Sequence, residues 1–125
     1  MDLSVWVLID SHEVFIKVMT GLAVEYQAPK LLSVPDIETA KDIILHKDVG
    51  RILLTVNDCL SVEEVNEFAF YCLRRGIPLD LLFNHENNID LTGIPYRNWF
   101  IKSNQIEFEI FGLYEGGDTH DYLLK

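Results

Sequence analysis

Five short apolar runs recur along the chain, and helical or irregular segments separate them. They are S-V-W-V-L-I-D (Ser4 to Asp10), K-L-L-S-V (Lys30 to Val34), R-I-L-L-T-V (Arg51 to Val56), I-P-L-D-L-L-F (Ile77 to Phe83) and W-F-I-K (Trp99 to Lys102). Runs this short and this continuously apolar suit strands that are covered on both faces. Between the first two, Phe15, Met19, Leu22 and Tyr26 recur at helical spacing, which predicts an amphipathic helix over Val14 to Tyr26. Pro35 and Asp36 open the next helix, with Ile37, Ala40 and Ile44 on its inner side. Ser61 and Glu64 read as a capping box, and Val62, Val65, Ala69 and Cys72 share the inner face of the helix that follows. Arg74, Arg75 and Gly76 close that helix. From Asn84 to Arg97 the helical period is lost and Gly93 and Pro95 interrupt, so a loop with room for one short helix is expected. Q-I-E-F-E-I-F alternates like a strand. Ile106, Ile110 and Leu113 also fit a helix begun at Ser103 and stopped at Gly116, and the need to cover the sheet favours the helix.

Strand–helix alternation of this kind predicts one α/β domain over residues 1–125: a doubly wound, five-stranded parallel sheet with right-handed crossovers. Ligands of such sheets gather at the carboxyl ends of the strands. Four strand ends therefore matter: Asp10 with Ser11, Thr55, Asn84 and Lys102.

Composition removes several function classes. The formal charge is −10, with the acids scattered, and such a field repels phosphate backbones. Direct nucleic-acid contact is not expected. At 49% hydrophobic the chain can bury a real core, unlike a disordered segment. Cys59 and Cys72 are too few for a disulfide scaffold or a zinc cage and fit a reduced, cytoplasmic protein. No apolar run reaches membrane-spanning length, and M-D-L-S lacks the basic start of a signal peptide. His12, His46, His85 and His120 are not at metal-ligand spacing. Gly116–Gly117 is a helix stop, since no strand precedes it. Ser11 and His12 point to opposite sides of an extended chain, which excludes a nucleophile–base pair. I-D-S-H-E contains no glycine, so a phosphate-cradling first turn is missing. No metal or cofactor is expected, and no catalytic residue.

The strand ends together resemble the receiver domain of bacterial response regulators, a flavodoxin/CheY-like (βα)5 fold. In V-L-I-D-S-H-E-V-F, Asp10 matches the first acid and His12 the histidine of the D-D-H found in LuxR/NarL-type members, while Ser11 replaces the second acid. In L-L-T-V-N-D-C, Thr55 takes the phosphoacceptor place, Asn57 matches the asparagine, and Cys59 stands where proline is usual. Asn84 ends the fourth strand where threonine or serine is usual, and W-F-I-K-S supplies the lysine, Lys102. The resemblance spans nearly the whole chain and implies a degenerate form, a pseudo-receiver.

A threonine cannot form the acyl phosphate that the family uses as its switch. Magnesium there needs hard oxygen ligands, and Asp10 is left with two neutral hydroxyls, Ser11 and Thr55. The implied site is locked: Asp10 pairs directly with Lys102 and hydroxyls complete the hydrogen bonding. Two alternatives stand beside it. One is an atypical phosphoreceiver using Asp58, three residues beyond the expected position. The other is a small flavodoxin-like ligand binder or enzyme outside the family.

The stretch from Leu81 to Asp90 and on to Ser103 is similar to that of CsgD/VpsT-like regulators, some of which bind cyclic di-GMP through a W-x-[TS]-R motif. Here that place reads D-Y-L-L-K, Asp121 to Lys125, without Trp or Arg, so cyclic di-GMP binding is not expected. Such regulators carry a helix-turn-helix that these residues lack, and the chain ends within an apolar run. The implied role is regulatory, through a homodimer or a protein partner. Aromatic residues are enriched in interface cores, which makes Tyr96, Trp99, Phe111 and Tyr114 the expected contact residues. Phe111 and Tyr114 are chosen because they fall off the Ile106–Ile110–Leu113 stripe.

Overall fold

A computed structural model describes residues 4–57, 59–84, 90–102 and 110–111. In chain order the elements are β1 (Val5–Ile9), α1 (Glu13–Glu25), β2 (Leu31–Val34), α2 (Ile37–His46), β3 (Val49–Val56), α3 (Val62–Arg74), β4 (Leu79–Phe83) and β5 (Asn98–Ile101). The strands form one parallel sheet in the order β2-β1-β3-β4-β5. This is the flavodoxin/CheY-like order expected from the alternation, with the switch point between β1 and β3.

Each helix starts where a side chain can satisfy its free N–H groups. His12 Nδ1 accepts from Phe15 N–H at 3.3 Å to open α1. Asp36 Oδ1 accepts from Thr39 N–H and Thr39 Oγ1, at 2.8 and 2.7 Å, to open α2. The capping box of α3 is complete: Ser61 Oγ accepts from Glu64 N–H, and Glu64 Oε1 from Ser61 N–H, both at 3.1 Å. Gly76, at φ +69°, ends the third helical segment in the left-handed region.

The alternation of side chains along each strand divides the core in two. On one face Val7, Ile9, Ile52, Leu54, Leu81 and Phe83 pack beneath α2 and α3. On the other, Trp6, Leu8, Leu53, Leu82 and Phe100 pack against Met19 and Ala23 of α1.

Four expectations need correction. β4 begins at Leu79 rather than Ile77: Pro78 has no N–H to give a ladder, and only its carbonyl joins, accepting from Ile52 N–H at 2.9 Å. β3 begins two residues early at Val49, where Gly50 permits a close approach; a Cβ there would lie 2.9 Å from Ser4 Oγ. Val62, the first residue of α3, is exposed rather than inward, and burial on this helix begins one turn later at Val65. Phe111, expected at the surface, is fully buried: it stacks on Trp6 and Tyr26, with centroids 6.0 Å from each. Residues 90–97 form a loop with a turn at Gly93, φ +83°.

Candidate functional site

Three chain segments that are far apart in sequence meet at the carboxyl edge of the sheet. Asp10 follows β1, Thr55 is the penultimate residue of β3, and Lys102 follows β5. Ile9 lies beside Leu54 in the β1–β3 register, which sets Asp10 next to Thr55. Lys102 N–H donates to Phe83 O at 2.8 Å, extending the β4–β5 ladder and aiming the side chain back across the sheet.

The Asp10 carboxylate is fully engaged. Its Oδ2 accepts from Thr55 Oγ1 and from Lys102 Nζ, each at 2.6 Å. Its Oδ1 accepts from His12 N–H at 2.8 Å, which ties the site to the start of α1. Both charged side chains are withdrawn from water, 4% exposed for Asp10 and 13% for Lys102. The Lys102 ammonium also lies 4.0 Å from the Phe15 ring centroid, a cation–π contact that covers its apolar side. Burial alone would raise the Asp10 pKa. The hydrogen bonds from Lys102, Thr55 and His12 N–H, with the Lys102 charge, outweigh it and hold the carboxyl below its ordinary value.

A cleft of about 390 Å³ opens beside this triad, between the ends of β1 and β3 and the starts of α2 and α3. Asp10, Ser11, Thr55 and Asn57 line it from the sheet; Asp36 and Glu64 line it from the helices. Ser11 is exposed. Asn57 is also exposed, and its Oδ1 accepts from Cys59 N–H at 2.8 Å, closing the turn after β3. Asn84 is exposed after β4 and does not line the cleft. Asp58 and Tyr114 lie outside the described residues. Tyr96 is half-buried against the core, whereas Trp99 is 50% exposed, with its ring edge-on to Phe83.

Among the described residues the donor set around Asp10 does not fit a divalent cation. Magnesium takes oxygen ligands and keeps waters, bound by one or two free carboxylates. The carboxylate of Asp10 is already neutralised by an ammonium, and Thr55 spends its proton on it. Among the described residues no three His, Cys, Asp or Glu side chains converge.

A second ionic cluster, not anticipated from the sequence, lies at the opposite edge of the sheet. Asp80 of β4 is completely buried. It accepts from Arg51 Nε at 2.6 Å, from Arg97 Nε and Nη2 at 3.1 and 2.7 Å, and from Asn98 N–H at 3.2 Å. Arg51 lies over the Trp6 ring, 4.7 Å from its centroid. Burial lowers the Arg51 pKa and the Asp80 charge opposes that shift. The signal was present in the sequence: a charge inside an apolar strand, as in I-P-L-D-L-L-F and R-I-L-L-T-V, needs a buried partner.

No protein-family model matches the chain, and no curated protein does. Two solved structures are similar to it. The signal receiver domain of an HD domain-containing protein from Pseudomonas fluorescens Pf-5 superposes with a TM-score of 0.67, at 11% identity, covering 94% of this chain and all of that one. The constitutive lysine decarboxylase of E. coli superposes with a TM-score of 0.65 at 18% identity; the match covers 96% of this chain but spans only 18% of the decarboxylase. At such identities the likeness is one of fold, the CheY-like flavodoxin fold. No helix among the described residues is long and apolar enough to cross a membrane.

Proposed function

We propose that residues 1–125 form one pseudo-receiver unit, a non-catalytic regulatory domain that works by contact with a protein surface and takes no phosphoryl group. The observation behind this reading is the closed triad of Thr55, Asp10 and Lys102. In the resemblance set out above, Thr55 occupies the place of the nucleophilic carboxylate. A hydroxyl there cannot yield an acyl phosphate, and its proton is committed to Asp10. The lysine holds the ground that a metal ion would need. A buried pair of this kind holds one geometry, since breaking it leaves an unpaired buried charge.

The same resemblance favours a role in transcription regulation of the LuxR/NarL type, in the cytoplasm. DNA reading belongs to a separate domain, because this chain carries a formal charge of −10. Trp99, half-exposed on edge strand β5, and Tyr96 beside it are the contact residues of this reading, with Tyr114. Phe111 has no part in it, being core.

The test is incubation with acetyl phosphate and Mg²⁺, read by intact mass. No phosphoryl adduct is expected. An adduct that disappears in Asp58→Asn would overturn the proposal in favour of an atypical phosphoreceiver.

A further inference from the structure

Helix α3 carries a second feature on its outer side, which shares Lys41 and Glu67 with the rim of the strand-end cleft but none of the triad residues. A shallow groove of about 370 Å³ runs along its outer side against α2, lined by Lys41, Asn66, Glu67, Phe70, Tyr71 and Arg74. Glu67 is its one acidic lining residue, against Lys41 and Arg74, so its charge balance runs against that of the molecule. The chain has ten Lys and Arg residues against twenty acids. Arg51, Arg97 and Lys102 are consumed by buried carboxylates. Three of the remaining cations gather around one ring: Arg75 lies 3.8 Å and Lys41 5.0 Å from the Tyr71 centroid, and Arg74 lines the groove next to it. Among the described residues, no carboxylate pairs with Arg74 or Arg75, and Lys41 meets Glu38 only at 4.0 Å.

Apolar surface adjoins these charges. Phe70 is 39% and Leu73 56% exposed, on a helix whose inner face is already filled by Val65, Phe68, Ala69 and Cys72. Neither side chain has a place in the core, so their exposure costs hydration that a partner would recover. Asn66 adds a polar need: its Oδ1 is shielded from solvent and accepts no hydrogen bond from any described residue. Cations, open aromatic surface and an unpaired amide acceptor together match one kind of occupant. Carboxylates would meet Arg74, Arg75 and Lys41, an apolar side chain would cover Phe70, and a backbone N–H would meet Asn66.

We infer that the α2–α3 groove is a docking site for an acidic peptide segment of a partner protein, one that carries an aliphatic or aromatic side chain among its carboxylates. This builds on the reading that the chain works by contact, and it adds a surface and a partner chemistry. It does not require the triad to be locked.

The test is fluorescence anisotropy of the full chain against a fluorescein-labelled synthetic peptide of alternating glutamate and leucine. A lysine–leucine peptide and phosphatidylserine vesicles serve as parallel arms. Saturable binding of the glutamate peptide is expected, weakened by salt and reduced at least about tenfold in Arg74→Glu/Arg75→Glu. Phe70→Ser should weaken it with both arginines present, and circular dichroism checks that both variants fold. Neither Phe70 nor the two arginines touch the triad, and the acetyl phosphate result reads that site separately, so failure of the triad reading and failure of this one are distinguishable. Absent binding, equal binding of the lysine peptide, binding indifferent to the arginine reversals, or binding to the vesicles alone would each overturn the inference.

Discussion

The Thr55 hydroxyl and the Lys102 ammonium bind the same oxygen of Asp10, each at 2.6 Å. One oxygen therefore serves a neutral donor and a charged one, while the other serves the His12 N–H. The three strands that carry these groups are pinned to one another by a single carboxylate. This geometry sets the consequences of substitution.

Removing the cation should cost more than removing the hydroxyl. Lys102→Met leaves Asp10 charged and buried with two neutral donors, and a loss of about 2–4 kcal/mol is expected. Thr55→Val removes one donor and should cost about 1–3 kcal/mol. Because both act on one oxygen, the double variant should depart from additivity. Urea unfolding followed by circular dichroism measures all three.

The Asp10 carboxyl is held below its ordinary value in the folded state, so the folded protein binds its proton less readily than the unfolded chain does. Its stabilising contribution is complete above the unfolded value near 3.8 and fades as pH falls through the lowered folded value. Stability should therefore drop on acidification below about pH 4, and the drop should be shallower in Asp10→Asn. Chemical unfolding at a series of acidic pH values reads the slope difference. Equal slopes would mean that the folded carboxyl is not favoured in its charged form.

Much of this arrangement is legible in the sequence. Short apolar runs between amphipathic segments fix a parallel sheet, and the carboxyl ends of its strands are the place to seek a site. That logic brings Asp10, Thr55 and Lys102 together. It includes Asn84 as well, which ends a strand but stands exposed and away from the cleft. A 3.6-residue stripe through Ile106, Ile110 and Leu113 turns Phe111 outward, which is not where it lies. Ile110 and Phe111 are both buried and lie in a wider π-helical turn, where two adjacent side chains can reach the core. The Arg51–Asp80–Arg97 cluster was missed because naming its members requires the β3–β4 register and the path of the loop before β5. Residues that carry charge inside a strand announce a need without naming the partner.

Asp80 should prove the most sensitive single position. Asp80→Leu leaves the buried Arg51 without a counter-charge and frees Arg97, and about 3–5 kcal/mol of destabilisation is expected. Replacing Arg97 alone should cost much less, since its side chain is 46% exposed. Thermal melts of the two variants give the order directly, and a larger loss for Arg97→Ala would refute it.

The two thiols should behave differently. Cys59 is exposed, whereas Cys72 is buried in the core and burial pushes its pKa up to about 12. Thiolate is the reactive form, so one equivalent of a thiol reagent should react quickly and the second only at the rate of unfolding. Stopped-flow reaction with Ellman's reagent, with and without urea, separates the phases.

The locked triad is tested most directly by calorimetric titration of Mg²⁺ into the chain and into Thr55→Asp. The original chain should give no saturable heat, because the Asp10 carboxylate is already paired with the Lys102 ammonium. Thr55→Asp, with a second carboxylate facing Asp10, should bind the ion and gain thermal stability from it. Saturable Mg²⁺ binding by the unaltered chain, lost in Asp10→Asn, would contradict the claim that Lys102 and Thr55 close this site to a divalent ion.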